Sequence, residues 1–167
     1  MKLAVMGSGA IGGYIGARLA AVGADVTLVA RGAHLAAIRA HGLSVQSPLG
    51  NLRIAPAAAT DAPATVGVVD LVLLGTKLYD VEAAAAAIAP MVGPETAIVC
   101  LQNGIDAGEV VARRYGSRQV MGAVVMINGE IKAPGVIRHN ALNRLTVGEL
   151  DGGVSAVSYT HLTLPTN

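Results

Sequence analysis

With 167 residues and a formal net charge of +1, the chain is long enough for one domain with a sizeable core but not for two full ones. Hydrophobic residues make up 53% of it without a Phe or Trp, which points to the aliphatic core of a parallel sheet covered by Ala-rich helices. The near-neutral balance leaves no basic stripe for nucleic acid, no apolar run reaches the ~18 residues of a membrane-spanning helix, and a single cysteine excludes an internal disulfide.

The first thirty residues carry the strongest signal. Leu3 to Met6 is an apolar strand that runs directly into Gly7-Ser8-Gly9-Ala10-Ile11-Gly12, followed by a helix from about Ala10 to Ala21 with Gly23 as its stop. Val26 to Val29 then forms a second strand. In this βαβ opening the first glycine permits the tight turn and the second lets backbone N–H groups approach a pyrophosphate. The third, Gly12, lets helix and strand pack closely. The helix presents its positive N-terminal end to the phosphates, so no charged side chain is required there. A glycine-rich turn without a nucleotide is the competing reading, and the strand and helix on either side weigh against it.

Where NAD-specific sites place an acid for the ribose 2′-OH, about twenty residues beyond the glycines, this chain has Arg31. A guanidinium pairs bidentately with a 2′-phosphate that a carboxylate would repel, so NADP(H) is expected over NAD(H). The alternative is a solvated surface arginine. Comparing the two cofactors separates these readings.

Ala33 to His41 reads as a short helix, and Leu43–Gln46 with Leu52–Ala55 as a hairpin around Ser47–Asn51. Pro56–Val66 is an unpatterned connection. Val68–Leu74 suits a central parallel strand, ending at Gly75-Thr76-Lys77. An Ala-rich helix over Val81–Met91 leads to a strand at Ala97–Leu101 that ends in Gln102-Asn103-Gly104. A helix at Asp106–Tyr115 and a strand at Gln119–Val125 follow, and Gly135–His139 with Arg144–Gly148 form a closing strand pair. This alternation predicts an α/β fold, a Rossmann-type doubly wound, mostly parallel sheet over residues 1–153. Ligands of such sheets bind beyond the carboxyl ends of the strands, where Gly7, Arg31, Lys77 and Asn103 all fall. From 154 to 167 the Thr-rich sequence VSAVSYTHLTLPTN breaks the pattern and is read as foreign to the protein, a genuine short strand being the alternative.

Lys77 is placed to hydrogen-bond cofactor ribose or phosphate, or to polarise a carbonyl. Asn103 offers both donor and acceptor for a ribose or a substrate hydroxyl. Each has a bland alternative as a solvated loop residue. His34 and His41 lie on a surface helix with no carboxylate or cysteine at metal-ligand spacing and are read as solvated. His139 lies in a strand without a Ser or Asp constellation and is read as structural. Cys100 is expected to be a small buried hydrophobe, Asp70 a strand-edge residue and Asp106 a helix N-terminal one. No metal site, triad or carboxylate pair emerges. The N-terminus enters a strand at once, so cytoplasm is the expected location.

As an ordered set, Gly7 to Gly12, Arg31, Thr76-Lys77, Gln102-Asn103-Gly104, Val120-Met121-Gly122 and the segment from Gly135-Val136-Ile137-Arg138-His139 to Val147-Gly148-Glu149 resemble the ketopantoate reductase family, also called 2-dehydropantoate 2-reductases. The resemblance covers about Met1 to Leu150. It implies that the glycine turn and Arg31 hold NADPH, that Lys77 and Asn103 contact cofactor, that Asn103 also contacts substrate, and that the backbone around Asn128 is a further cofactor contact. It implies hydride transfer to the ketone of 2-dehydropantoate, a small 2-oxoacid, giving pantoate for pantothenate and coenzyme A synthesis. The family keeps its catalytic lysine in a C-terminal helical domain that this chain lacks, so no catalytic residue is assigned here and the polypeptide alone is expected to bind NADPH weakly and turn over negligibly. A stand-alone NADPH-binding or sensing module, or a related reductase of another 2-oxoacid, are the alternatives.

Overall fold

The computed structural model describes residues 1–54, 58–104, 106–150 and 152, so the reading of 154–167 as foreign lies outside the described residues. The described strands are β1 (Lys2–Met6), β2 (Asp25–Val29), β3 (Leu43–Gln46), β4 (Leu52–Ile54), β5 (Ala58–Thr60), β6 (Leu71–Leu74), β7 (Ala97–Cys100), β8 (Val120–Ala133) and β9 (Val136–Glu149). They form one sheet in the order β4-β3-β9-β8-β7-β6-β1-β2-β5. From β5 to β8 every pairing is parallel, and β1 sits between β2 and β5 on one side and β6, β7 and β8 on the other. β3 and β4, which come between β2 and β5 in the chain, are placed at the far end of the sheet. This is the doubly wound order expected from the sequence, with its switch point at the end of β1.

The central strands are apolar throughout because helices cover both faces. Leu3, Val5, Leu71, Leu73, Ala97 and Val99 belong to the cluster packed under α1 (Ala10–Ala21) and α2 (Gly32–His41). Their neighbours in the chain, Ala4, Val72, Leu74, Ile98 and Cys100, pack on the other face against α3 (Val81–Ala87) and α4 (Asp106–Tyr115). Side chains alternate across the sheet, so consecutive residues feed two cores and the run shows no polar alternation. Asp70 closes the edge of this layer by accepting the Lys2 backbone N–H at 2.7 Å.

The sheet curls around α1, which touches β1 and β2 on one side and β3, β4, β8 and β9 on the other. Where its first turn meets the β1 turn and β9, this helix has room only for glycine. A Cβ on Gly12 would fall inside contact distance of the Gly7 carbonyl oxygen and 3.0 Å from Val5 Cγ1. One on Gly13 would lie 2.5 Å from Ile137 Cδ1 on the opposite arm.

Three departures from the sequence reading have physical causes. The connection at 56–66 contains β5, an Ala-Ala-Thr edge strand held to β2 by backbone pairing, whose side chains carry no strand signal. The expected pairing of 135–139 with 144–148 is not formed. Residues 136–139 and 144–148 lie in the single 14-residue strand β9, with Gly135 in the turn before it, and β9 pairs antiparallel with the equally long β8 and parallel with β3. Register shifts around Asn128 and before Ala133 break the alternation, and Leu142 takes a positive φ of 60° at one of them. The Ala-rich helix ends at Ala87 and is continued by a 3-10 turn over Ala89–Met91, since Pro90 cannot extend the α-helical ladder.

His139 is structural in its bonding. Its Nε2–H donates to the Leu142 carbonyl at 2.6 Å, so Nδ1 accepts from Ser47 Oγ at 2.8 Å, and the ring stacks on Tyr14 with centroids 4.5 Å apart.

Cys100 is buried in the β7 core, and burial pushes its thiol up to about 12. Native protein at pH 8 is therefore expected to react with a disulfide reagent only on unfolding, at a rate set by opening of the fold. Immediate stoichiometric labelling of the folded chain would contradict this placement.

Candidate functional site

At the end of β1 the backbone turns sharply. Gly7, at φ 93°, and Ser8 both donate their amides to the Val29 carbonyl, at 3.2 and 3.0 Å, which ties the turn to the end of β2. A Cβ on Gly7 would lie 2.8 Å from the Thr76 nitrogen, so the glycine also admits the loop that follows β6. Ser8 is buried, with Oγ donating to the Val5 carbonyl at 3.3 Å. α1 then begins at Ala10 with Gly9 as its N-cap and no side-chain cap. The first amide to find a helical acceptor is that of Gly13, bonded to Gly9 O at 2.8 Å, which leaves the N–H groups of Ala10, Ile11 and Gly12 without an acceptor among the described residues. A Cβ on Gly9 would meet nothing within 4 Å. The turn is tightly packed on the Gly7 and Gly12 side and open at Gly9.

In front of it lies a crevice of about 620 Å³ beyond the ends of β1, β2 and β6. Gly7, Ser8 and Gly9 form its floor, Arg31 stands at the end of β2, and Thr76 and Lys77 at the end of β6. Arg31 is largely exposed, and its Nη2 lies 3.9 Å from Asp80 Oδ2 across the mouth. A pair so exposed and so long contributes little to stability, which leaves the guanidinium available. Gln102 fixes the β6 loop, donating from Nε2 to the carbonyls of Leu74 at 3.1 Å and Thr76 at 2.9 Å. Two buried oxygens beside this loop, Thr76 Oγ1 and Gln102 Oε1, have no hydrogen-bond partner among the described residues.

The structure thus brings Gly7, Ser8, Gly9, Arg31 and Lys77 to one crevice. Ala10, Ile11 and Gly12 lie at the α1 end that opens beside it. Asn103 follows β7, exposed beside Gly104, and is not among the residues lining the crevice. Asn128 is likewise away from the lining, on β8 at a register shift, where its Oδ1 accepts from Asn140 Nδ2 at 3.3 Å. Ser8 lines the crevice, yet its amide, hydroxyl and carbonyl are all bonded inside the protein, so it frames the turn more than it offers donors.

His34 departs from the sequence reading. It is half-buried, not solvated, and both ring nitrogens are engaged, with Nδ1 accepting the Gly135 amide and Nε2 reaching the Ser8 carbonyl, each at 3.0 Å. Burial lowers its pKa, partly offset by the bond to Ser8. His41 is exposed, as expected. The sequence reading also missed Asp61, Tyr79, Asp80 and Ile131 as lining residues. Asp80 carried a faint signal as an acid one turn after Lys77. Ile131 carried none, because it comes from the far end of a long hairpin.

The donor set suits a phosphorylated ligand of dinucleotide size. It combines free helix amides, an open glycine and two cations, at the ends of the strands on either side of β1. Asp61 does not cancel this, being 3.3 Å from Arg39. No helix among the described residues is long and apolar enough to cross a membrane.

Residues 3–152 match the family described as "Ketopantoate reductase PanE/ApbA". A 2-dehydropantoate 2-reductase of Mesorhizobium japonicum is 37% identical over 91% of this chain and 53% of its own length. Crystal structures of the 2-dehydropantoate 2-reductases of Methylococcus capsulatus and Porphyromonas gingivalis superpose with TM-scores of 0.86 and 0.78 at 33% and 42% identity. They share 96% and 88% of this chain and 52% and 53% of theirs. The chain spans about half the length of the curated relatives it matches. A D-mandelate dehydrogenase solved with NADH shares the fold, with a TM-score of 0.81 at 24% identity.

Proposed function

This chain belongs to the ketopantoate reductase family, and from that premise we propose that its crevice holds NADP(H) for the reduction of 2-dehydropantoate to pantoate in the cytoplasm. The observation that carries the reading is the uncapped start of α1, with its free amides and open Gly9, opposite an exposed arginine at the end of β2. Bound NADPH would supply the hydride that reduces the ketone.

In this reading the amides of Gly9 to Gly12 bind the pyrophosphate and Gly7 supplies the turn that aims them. Arg31 pairs with the 2′-phosphate. Lys77 and Asn103 serve the nicotinamide end, Asn103 reaching the substrate as well, and the backbone at Asn128 adds a further contact. The partly exposed Thr76 loop, fixed by Gln102, keeps Lys77 at the crevice edge. The group that protonates the forming alkoxide and the second wall that excludes water are assigned outside this segment, in agreement with its covering about half of its relatives.

The test is a pair of measurements on the purified chain. NADPH is expected to bind saturably, and 2-dehydropantoate reduction by the chain alone to stay at background. Absence of NADPH binding at millimolar cofactor would sink the cofactor reading, and measurable turnover would sink the assignment of the proton donor elsewhere. A full-length protein that prefers another 2-oxoacid would keep the chemistry and replace the substrate.

A further inference from the structure

The amides of a glycine-rich turn bind an anion only if their peptide planes are held at the right angle. Here the plane between Ser8 and Gly9 has one external hold on its oxygen. His34, in the first turn of α2, lies 3.0 Å from the Ser8 carbonyl through Nε2, and 3.0 Å from the Gly135 amide through Nδ1. The Gly135 N–H can only donate, so Nδ1 must be bare and the ring proton sits on Nε2, donated to Ser8. The tautomer is thereby fixed by the turn of the β8–β9 hairpin, 101 residues away in sequence. In a trans peptide the N–H points opposite to the C=O, so a bond to the Ser8 oxygen also sets the direction of the Gly9 N–H at the crevice floor.

We infer that His34 is a positioning residue for dinucleotide binding: it fixes the Ser8–Gly9 peptide against the hairpin turn at Gly135 and so aims the phosphate-facing end of α1. Ser8 cannot do this alone, because its hydroxyl is already bonded to Val5 and its amide to Val29. Arg31, three residues earlier, lines the same crevice, so one short helix start supplies a cation for the ligand and the hold on the turn. The inference rests on the reading of the crevice as a dinucleotide site.

The test uses the two halves of the imidazole separately. His34→Gln keeps a donor near the Nε2 position, His34→Asn keeps an acceptor near the Nδ1 position, and His34→Leu keeps neither. On the full chain, NADPH titrations are expected to give a Kd for His34→Gln within about threefold of the wild type, with His34→Asn and His34→Leu weakened about tenfold. Melting temperatures taken on the same samples separate aim from stability. If affinity follows melting temperature across the three variants, or if His34→Asn binds as the wild type does, His34 only holds the fold together and the inference fails. In the unmutated protein, nitrogen NMR of the His34 ring is expected to show the Nε2–H tautomer and a shift on adding NADPH. The other tautomer, or an unmoved ring at saturation, overturns the inference without recourse to any variant. A wild-type chain that does not bind NADPH overturns the dinucleotide reading itself and this inference with it.

Discussion

Gly12→Val is expected to lower the melting temperature by about 6–12 °C, whereas Gly9→Ala, three residues earlier in the same motif, shifts it by no more than about 2–4 °C and instead loses nucleotide binding. The difference lies in what each new side chain would meet. At Gly12 a Cβ runs into the Gly7 carbonyl and the Val5 side chain, and neither the turn backbone nor a core strand can give way. Overpacking of that kind costs about 3 kcal/mol, and a melting temperature falls by roughly 2–4 °C per kcal/mol in a domain of this size. At Gly9 the backbone, at φ −75°, is one that alanine adopts freely, and nothing lies within 4 Å of the added methyl. The remaining cost is the loss of glycine's N-cap preference, ~1 kcal/mol at most. The methyl would instead occupy the space through which a pyrophosphate approaches the α1 amides, so NADPH affinity should fall about tenfold or more. Thermal melts and cofactor titrations on both variants separate the two roles. Unchanged NADPH binding by Gly9→Ala would mean that the turn does not seat the pyrophosphate.

The contrast also explains which parts of the molecule could be read from sequence. β1, β6 and β7 announce themselves as unbroken apolar runs because each is buried on both faces, and the glycines mark the turn because only Gly fits at Gly7 and Gly12. Arg31 and Lys77 were legible as strand-end residues, since the doubly wound order sends every parallel strand toward the same edge. β5 was not legible, because an edge strand of Ala-Ala-Thr is held by backbone bonds that any residue makes. The β8–β9 hairpin was read in pieces because Asn128, Gly129 and the register shifts interrupt a period that the strands themselves continue. His34 was misread for a different reason. Its partners lie 26 and 101 residues away, and a histidine on a short, moderately apolar helix carries no mark of either.

Arg31→Ala is expected to weaken NADPH binding about 10- to 100-fold while leaving NADH binding within about twofold. A hydrogen-bonded contact to a charged group is worth about 1.5–3 kcal/mol, and each 1.4 kcal/mol is a factor of ten in affinity. Only the 2′-phosphate distinguishes the two cofactors, so the whole difference should appear in their affinity ratio. The resting geometry does not oppose this role. The Arg31 side chain is 84% exposed and its pairing with Asp80, at 3.9 Å, is weak enough for a phosphate dianion to displace. Arg31→Asp carries the argument further: a carboxylate at the end of β2 would accept from a ribose 2′-OH and repel a 2′-phosphate, so this variant should prefer NADH. Because the contact is exposed, the wild-type preference for NADPH should also shrink as salt rises from about 0.05 to 0.5 M, while the ratio for Arg31→Ala stays flat. An Arg31→Ala variant that keeps the wild-type ratio of the two affinities would remove the arginine from the cofactor site. Among the described residues discrimination would then have to come from the other cation lining the crevice, Lys77, which stands at the end of β6 and not of β2.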